Sequence, residues 1–536
     1  MTMTNASINW PVRFCMWLVP LLAKLFFVMR NLIFIGLPKK QPPVKNVTVM
    51  DSASTLASKI RNRQLTSEST VRAFIARIEE VQPILNCVTE KRFEKALEEA
   101  LECDRQLRSP NAPTADFLAA KKPLFGVPFS VKECIAVEEM KQTAGLVCRR
   151  NVRADEDAEC VRLMRQAGGI PIATTNLSEL AMWMESYNCV YGITKNPHNT
   201  WHTSGGSSGG EGSLLAAGGS PCGLGSDIGG SIRIPSFFNG IFGHKPSMGV
   251  VSREGHYPEV STPEQDEMCV VGPLSRHAED LTLLLRVIAG KNADRLKLHS
   301  SIDPSKLKIY FMEEEENCPV VTPVEPEIKA AMQRAVRHLE RAYGVKATRV
   351  NISAFKDALP IWFAWMAVPP GKDMSVELTD GKYSLGIGRE LVKLLFGLSE
   401  HTFVALVTAG FEKFTATRLA NDGESKKKCY KLQGAMLRQV FEKMLGQNGV
   451  FIYPTHPTAA PMHFEPLVRP FNWIYTGIIN VLGLPSTACP LGFNKNGLPI
   501  GIQIVSGLYQ DRLSLAIAEE LERAFTGCIP APTVKK

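Results

Sequence analysis

GGSSGGEGSLLAAGGSPCGLGSDIGGSIRIPSFFNGIFGHKPS, residues 205–247, is the stretch on which the reading of this chain turns. Eleven of the protein's 41 glycines fall between residues 205 and 230. So dense a run cannot be ordinary helix or strand throughout, and close approach of backbone to a ligand is a common functional reason for one. Consecutive glycines ahead of a serine, as in Asp227-Ile228-Gly229-Gly230-Ser231, let successive backbone N–H groups turn inward. That arrangement suits stabilisation of a developing oxyanion. A Gly/Ser loop is otherwise a turn or linker, but a linker seldom carries an Asp and an Arg (Asp227 and Arg233) in an apolar neighbourhood.

Working outward, GVPFSVKE at 126–133 places Lys132 at the end of an apolar run. Burial penalises a lysine's charge and lowers its pKa, and a neutral lysine is a competent general base. Taken alone, Lys132 reads more readily as a surface lysine. Apolar spacing at Val71, Phe74, Ile75, Ile78 and Val81 predicts a helix from Leu65 to Gln82, capped by Thr66 or Ser67 and ended by Pro83. A second helix is expected over 92–107. Short apolar runs at 123–131, 169–174, 218–224 and 502–505 alternate with helical patterns, which implies an α/β body with a parallel or mixed sheet.

Several motifs fail in context. GGSSGG satisfies G-x-S-x-G, but WHTS precedes it in place of the apolar strand that a nucleophile elbow requires. GLGSDIGG carries Ile228 where a dinucleotide fingerprint needs its third glycine. Ser425-x-x-Lys428 sits in a lysine cluster that reads as a solvated turn. Lys132, Glu133 and Cys134 are adjacent in sequence and cannot converge on one substrate atom. The thirteen cysteines include no C-x-x-C pair and read as mostly buried thiols, and the ten histidines, His244 and His456 among them, have no ligand spacing.

The net charge of +8 is concentrated at one end. Arg13, Lys24, Arg30, Lys39, Lys40 and Lys45 face no acidic residue within positions 1–50, and the rest carries 55 basic against 53 acidic side chains. That balance argues against a nucleic-acid groove and assigns the excess to a membrane surface. Residues 10–37 are long and apolar enough to span about 30 Å of hydrocarbon. Lys24 and Arg30 interrupt them, at about 2.5–3.5 kcal/mol each in mid-bilayer. The segment 1–40 is therefore expected to be a membrane anchor, either a single span with snorkelling charges or an interfacial helix. A linker at 41–50 and a body at 51–536 follow. Lys39, Lys40 and Lys45 favour a cytosolic body, whereas the sequon at Asn46 would matter only in a lumen, so orientation stays open. Residues 385–414 are either two antiparallel core helices, the favoured expectation, or a membrane-facing cap exposing Leu394, Leu395, Phe396, Leu398 and Phe403 beside Arg389 and Lys393.

Residues 205–247, with GVPFSVKE (126–133), LTSESTVRAFIARIEEVQPILN (65–86), TTNLSEL (174–180) and GLPIGIQIVSG (497–507), closely resemble the amidase-signature family. The resemblance covers roughly residues 50–527. The apolar N terminus, FNGIFGHKPS (238–247) and YPTHPTAAP (453–461) are similar to its membrane-bound members that hydrolyse fatty-acid amides. It implies a single α/β domain, a twisted mixed sheet of about a dozen strands covered by helices on both faces. By position it implies Ser231 as nucleophile, Ser207 as bridging serine and Lys132 as base. It further implies an oxyanion hole from the N–H groups of Ile228, Gly229, Gly230 and Ser231, with Ser208, Asp227 and Arg233 in support. No cofactor or metal is implied. A lipid amide is the expected substrate and an endomembrane the expected location, and homodimers occur among the lipid-hydrolysing members. Met182, Trp183, Met184 and Tyr187 are candidates for an acyl channel, with core packing the equal alternative. The competing readings are a small-amide amidase, one component of a multi-chain amidotransferase, and a catalytically silent membrane scaffold.

Overall fold

The computed structural model describes residues 25–33, 35–315, 318, 320–369 and 371–525, and side-chain environments for all of these except 415–423. The part of the expected anchor before residue 25 lies outside them. Among the described residues no helix is long and apolar enough to cross a membrane.

The strands are β1 (Val88–Lys91), β2 (Pro128–Lys132), β3 (Ile170–Thr175), β4 (Tyr187–Asn188), β5 (Gly192–Ile193), β6 (Cys222–Asp227), β7 (Phe242–Lys245), β8 (Val270–Ser275), β9 (Lys308–Phe311), β10 (Thr348–Arg349), β11 (Gly449–Tyr453), β12 (Ser486–Phe493) and β13 (Pro499–Ser506). Eleven form one mixed sheet in the order β1-β3-β2-β6-β8-β7-β12-β13-β11-β9-β10, and β4 pairs with β5 separately. Strands β2, β3 and β6 are mutually parallel and lie side by side. Their carboxyl ends therefore open on one edge, the position where α/β sheets bind ligands. Every residue of these three strands is buried, which is why they read as continuous apolar or small-residue runs.

The helix predicted from Leu65 runs over Ser67–Leu85 with Thr66 as its cap. It does not stop at Pro83, because a proline in the last turn forfeits a single N–H bond; the chain leaves the helix at Asn86, in the left-handed region. The second helix is Phe93–Arg108. The lysine cluster at 426–428 belongs to a helix spanning Phe403–Leu445 and is no turn.

At 385–414 two helices meet, as expected, around a small buried cluster of Leu385, Ala405, Leu406 and Ala409, but part of their apolar surface stays outside it. Ile387–Leu395 and the start of Phe403–Leu445 pack together, yet Leu395, Phe396 and Leu398 expose 83%, 74% and 70% of their surface and Phe403 is also exposed. One face packs inward, while Leu395, Phe396 and Leu398 are left uncovered among the described residues. In helix 25–33, Arg30 packs on the body of the protein, its guanidinium 3.4 Å from the centre of the Phe464 ring.

Candidate active site

Lys132 is the last residue of β2 and is fully buried. Its Nζ donates to Ser207 Oγ at 2.7 Å and to Ser226 Oγ at 2.9 Å. Among the described residues no carboxylate bonds to it, and burial outweighs the raising influence of Cys134, Cys269, Asp227 and Glu211 and holds its pKa below the ordinary lysine range. Behind it lies Glu211, also fully buried, which accepts from Ser130 Oγ at 2.7 Å and Thr175 Oγ1 at 2.8 Å. Burial pushes this carboxyl up to about 8, against the opposing effect of those hydroxyls and of Lys132.

Ser207 ends the glycine pair that precedes the helix Gly209–Ala216. A side chain at Gly206 would place its Cβ 2.3 Å from the Trp183 carbonyl, so the close approach of chain 183–185 demands glycine there. Ser186 Oγ donates to the Ser207 carbonyl at 3.1 Å and accepts from Gly209 N–H at 2.8 Å, fixing the turn.

The Ser231 turn is held from beneath. Asp227 accepts from the N–H groups of Gly230 and Ile232 at 2.8 and 3.0 Å, and from Arg233 Nε and Nη2 at 3.0 and 2.9 Å. Burial alone would raise the Asp227 carboxyl, but the Arg233 guanidinium against it holds it well below the usual carboxylate range. Asn480 Nδ2 adds a bond to Asp227 at 2.9 Å, and Arg233 Nη1 reaches Gln503 Oε1 at 2.8 Å. Gly230 has φ +128, and a Cβ there would meet Thr476 Oγ1 at 2.0 Å. Thr476 Oγ1 also donates to the Gly229 carbonyl at 2.7 Å, and Trp362 Nε1 to the Ile228 carbonyl at 3.2 Å.

The four amides expected to act together therefore divide. That of Gly230 is engaged by Asp227, whereas those of Ile228, Gly229 and Ser231 have no hydrogen-bond partner among the described residues. Ser208 N–H joins the two serine segments by donating to the Ser231 carbonyl at 3.2 Å. The Ser231 hydroxyl itself makes no hydrogen bond with the described residues, so the contact displayed is Lys132–Ser207. His244 and His456 lie elsewhere, the former bonded to Asp511 and Thr487, the latter to Thr458.

Sequence reasoning did not single out Ser226, Glu211, Ser186, Asn480, Gln503, Thr476 or Trp362. A polar residue inside an apolar strand run, as Gln503 is in IGIQIVS, was the available signal.

A cavity of about 410 Å³ is walled in part by Trp183 and Glu185, whose backbone packs against Gly206. Met182, Trp183 and Tyr187 line it, together with Leu394, Phe403 and Phe464. Met184 is buried and does not line it.

A family model described as Amidase matches residues 69–515. The chain belongs to the amidase-signature family. Fatty-acid amide hydrolase 2-A from Danio rerio is 44% identical over 492 residues, 91% of each chain. Fatty-acid amide hydrolase 2 from Homo sapiens is 41% identical over 512 residues, 94% of this chain and 95% of that one. Among solved structures, a fatty acid amide hydrolase has a TM-score of 0.71 at 21% identity, covering 92% of this chain and 87% of its own. A 6-aminohexanoate cyclic dimer hydrolase has a TM-score of 0.69 at 24% identity, covering 91% of this chain and 99% of its own. The structural likenesses show the α/β amidase-signature fold. Family and sequence relatives together make this amidase-signature protein an amide-hydrolysing enzyme.

Proposed function

We propose that this enzyme is a membrane-associated serine hydrolase that cleaves long-chain fatty-acid amides, both primary amides and N-acylethanolamines, through an acyl-enzyme on Ser231. The observation that carries the chemistry is a fully buried Lys132 at 2.7 Å from Ser207, with no carboxylate bonded to it among the described residues. Held neutral, Lys132 takes a proton from Ser207 as Ser207 takes one from Ser231, and Ser231 attacks the amide carbonyl. The Ser207–Ser231 bond tightens with substrate in place, as catalytic hydrogen bonds commonly do. The free N–H groups of Ile228, Gly229 and Ser231 stabilise the tetrahedral oxyanion, while Gly230, committed to Asp227, holds the turn in shape. The proton returns through Ser207 to the departing amine, and water then hydrolyses the acyl-enzyme.

The substrate class is supported by the apolar lining of the cavity, by fatty-acid amide hydrolase 2 relatives that match over most of the chain, and by the exposed apolar side chains at its rim. A cavity of this size falls in the range of small-molecule sites, about 300–1,000 Å³. Leu395, Phe396 and Leu398 on one side and Phe26 and Ile33 on the other are exposed. Together they favour seating on an endomembrane through residues 1–40 and the 385–414 cap.

Hydrolysis by the purified full chain across an acyl-chain-length series tests this reading. The expected result is a kcat/KM that favours long-chain over short-chain and aryl amides. A preference for short or aromatic amides would replace it with the small-amide reading.

A further inference from the structure

Helix 25–33 rests on the body with its faces clearly sorted. Phe27 and Asn31 are buried and Arg30 is half-buried, whereas Phe26, Met29 and Ile33 are exposed. Positions 27, 30 and 31 share one helix face, and that face is the one tied down. Asn31 Nδ2 donates to the Trp201 carbonyl at 2.9 Å, and Trp201 Nε1 donates to the Gly36 carbonyl at 2.8 Å. Further along, Lys39 N–H donates to Thr200 Oγ1 at 3.0 Å and Gln41 Nε2 to the Pro197 carbonyl at 2.8 Å. The N-terminal segment is thereby fixed to the loop at 197–201, immediately ahead of the Gly/Ser stretch.

Arg30 enters the cavity from this helix. It lines the cavity together with Glu185, Tyr187 and Phe464, and its guanidinium carbon lies over the Phe464 ring, 3.4 Å from its centre. Glu185 accepts the Phe464 N–H at 2.9 Å and contributes an opposing charge beside Arg30. The same chain segment backs onto the centre, since a Cβ at Gly206 would fall 2.7 Å from Glu185 N. The wall that Arg30 seals is therefore one packing layer from Ser207. An arginine suits such a wall: its aliphatic stem and stacked planar end present apolar surface to a passing chain, and its charge is answered by a carboxylate.

We propose that helix 25–33 forms a wall of the acyl cavity and that Arg30 is a specificity-determining residue on it, so that the N-terminal segment selects acyl chains in addition to seating the protein on a membrane. This rests on the fatty-acid-amide reading above. Removing Arg30 opens the wall where a long chain lies and leaves a short chain untouched.

The test uses the full chain in detergent micelles, with kcat and KM measured on one long-chain and one short-chain amide for wild type, R30A, R30K and M29S. R30A is expected to raise KM for the long-chain amide by about three- to tenfold, the scale of a lost cation–π contact, with short-chain kcat/KM unchanged. R30K should recover part of the loss, and M29S, on the exposed face, should match wild type on both substrates. An R30A long-to-short ratio equal to that of wild type overturns the inference. So does an equal loss on both amides, or an M29S effect as large as that of R30A. A wild-type enzyme with no preference for the long chain would remove the fatty-acid-amide reading itself, and the inference with it.

Discussion

At the floor of the site Lys132, Ser207, Asp227 and Arg233 are each at most 1% exposed, whereas on the rim Leu395, Phe396 and Leu398 are each at least 70% exposed. The floor is polar and dry, and each charge there either has a specific partner or is suppressed by burial. The rim is apolar and wet, and among the described residues nothing covers its side chains. A reaction that needs a neutral lysine and an unpartnered oxyanion hole requires the first environment. A substrate that arrives from lipid requires the second. The cavity lined by Met182, Trp183, Leu394 and Phe403 adjoins the rim in sequence at Leu394, and its 183–185 wall packs against Gly206.

The largest expected effect breaks the floor. Lys132→Ala should lower kcat by about 10²–10⁴-fold, the range of general acid–base catalysis, read by steady-state hydrolysis at neutral pH. In the proposed mechanism the deprotonated lysine is the working form. The rate should therefore fall as pH drops through a pKa that burial has placed below the ordinary lysine value of about 10.4. An unchanged rate in the variant removes the base role.

Asp227→Asn tests the scaffold beneath. It leaves the Arg233 guanidinium buried without its carboxylate, at a cost of about 3–5 kcal/mol in unfolding free energy at neutral pH, measurable by denaturant titration. The sign with pH follows from a carboxyl held below its unfolded value: the ion pair's stabilisation is present above about pH 3.9 and is lost as pH falls through the lower folded pKa. The difference between wild type and variant should accordingly narrow only in strong acid.

On the rim, Phe396→Ser should weaken partitioning to lipid vesicles by about tenfold, the loss of roughly 1.5 kcal/mol of apolar burial. Turnover of a short soluble amide should not change. Loss of that turnover would make Phe396 part of the floor's packing and erase the contrast. The smallest effect belongs to Thr476→Val, which removes one hydroxyl bond to the Gly229 carbonyl and should cost about 1 kcal/mol, roughly fivefold in kcat/KM.

The two regions also differed in how far the sequence revealed them. Lys132 at a strand end, the Gly206-Ser207 pair and the Asp227–Arg233 bracket were legible because each violates a local rule: a charge in an apolar run, glycines no helix would tolerate, an ion pair beside them. The strands β2, β3 and β6 were legible for the complementary reason, as short apolar or small-residue runs between helical patterns. Residues 385–414 were harder to read, because amphipathic spacing looks the same whether an apolar face meets a core or a bilayer, and only the packed structure separates the buried Leu406 from the exposed Leu395 and Phe396. Arg30 was hard to read for a similar reason. Hydropathy treats a charge in an apolar segment as a cost in lipid and cannot register Phe464, distant in sequence, beneath it. The commitment of Gly230 N–H to Asp227 was likewise invisible, since four consecutive amides in a glycine turn look equivalent until the chain is folded.

The most direct test of the central claim is peptide mapping by mass spectrometry after labelling with a serine-reactive fluorophosphonate. The account predicts a single adduct on Ser231, absent in Ser231→Ala and formed slowly in Ser207→Ala. An adduct on any other residue, or labelling of Ser231→Ala at the wild-type rate, would contradict it.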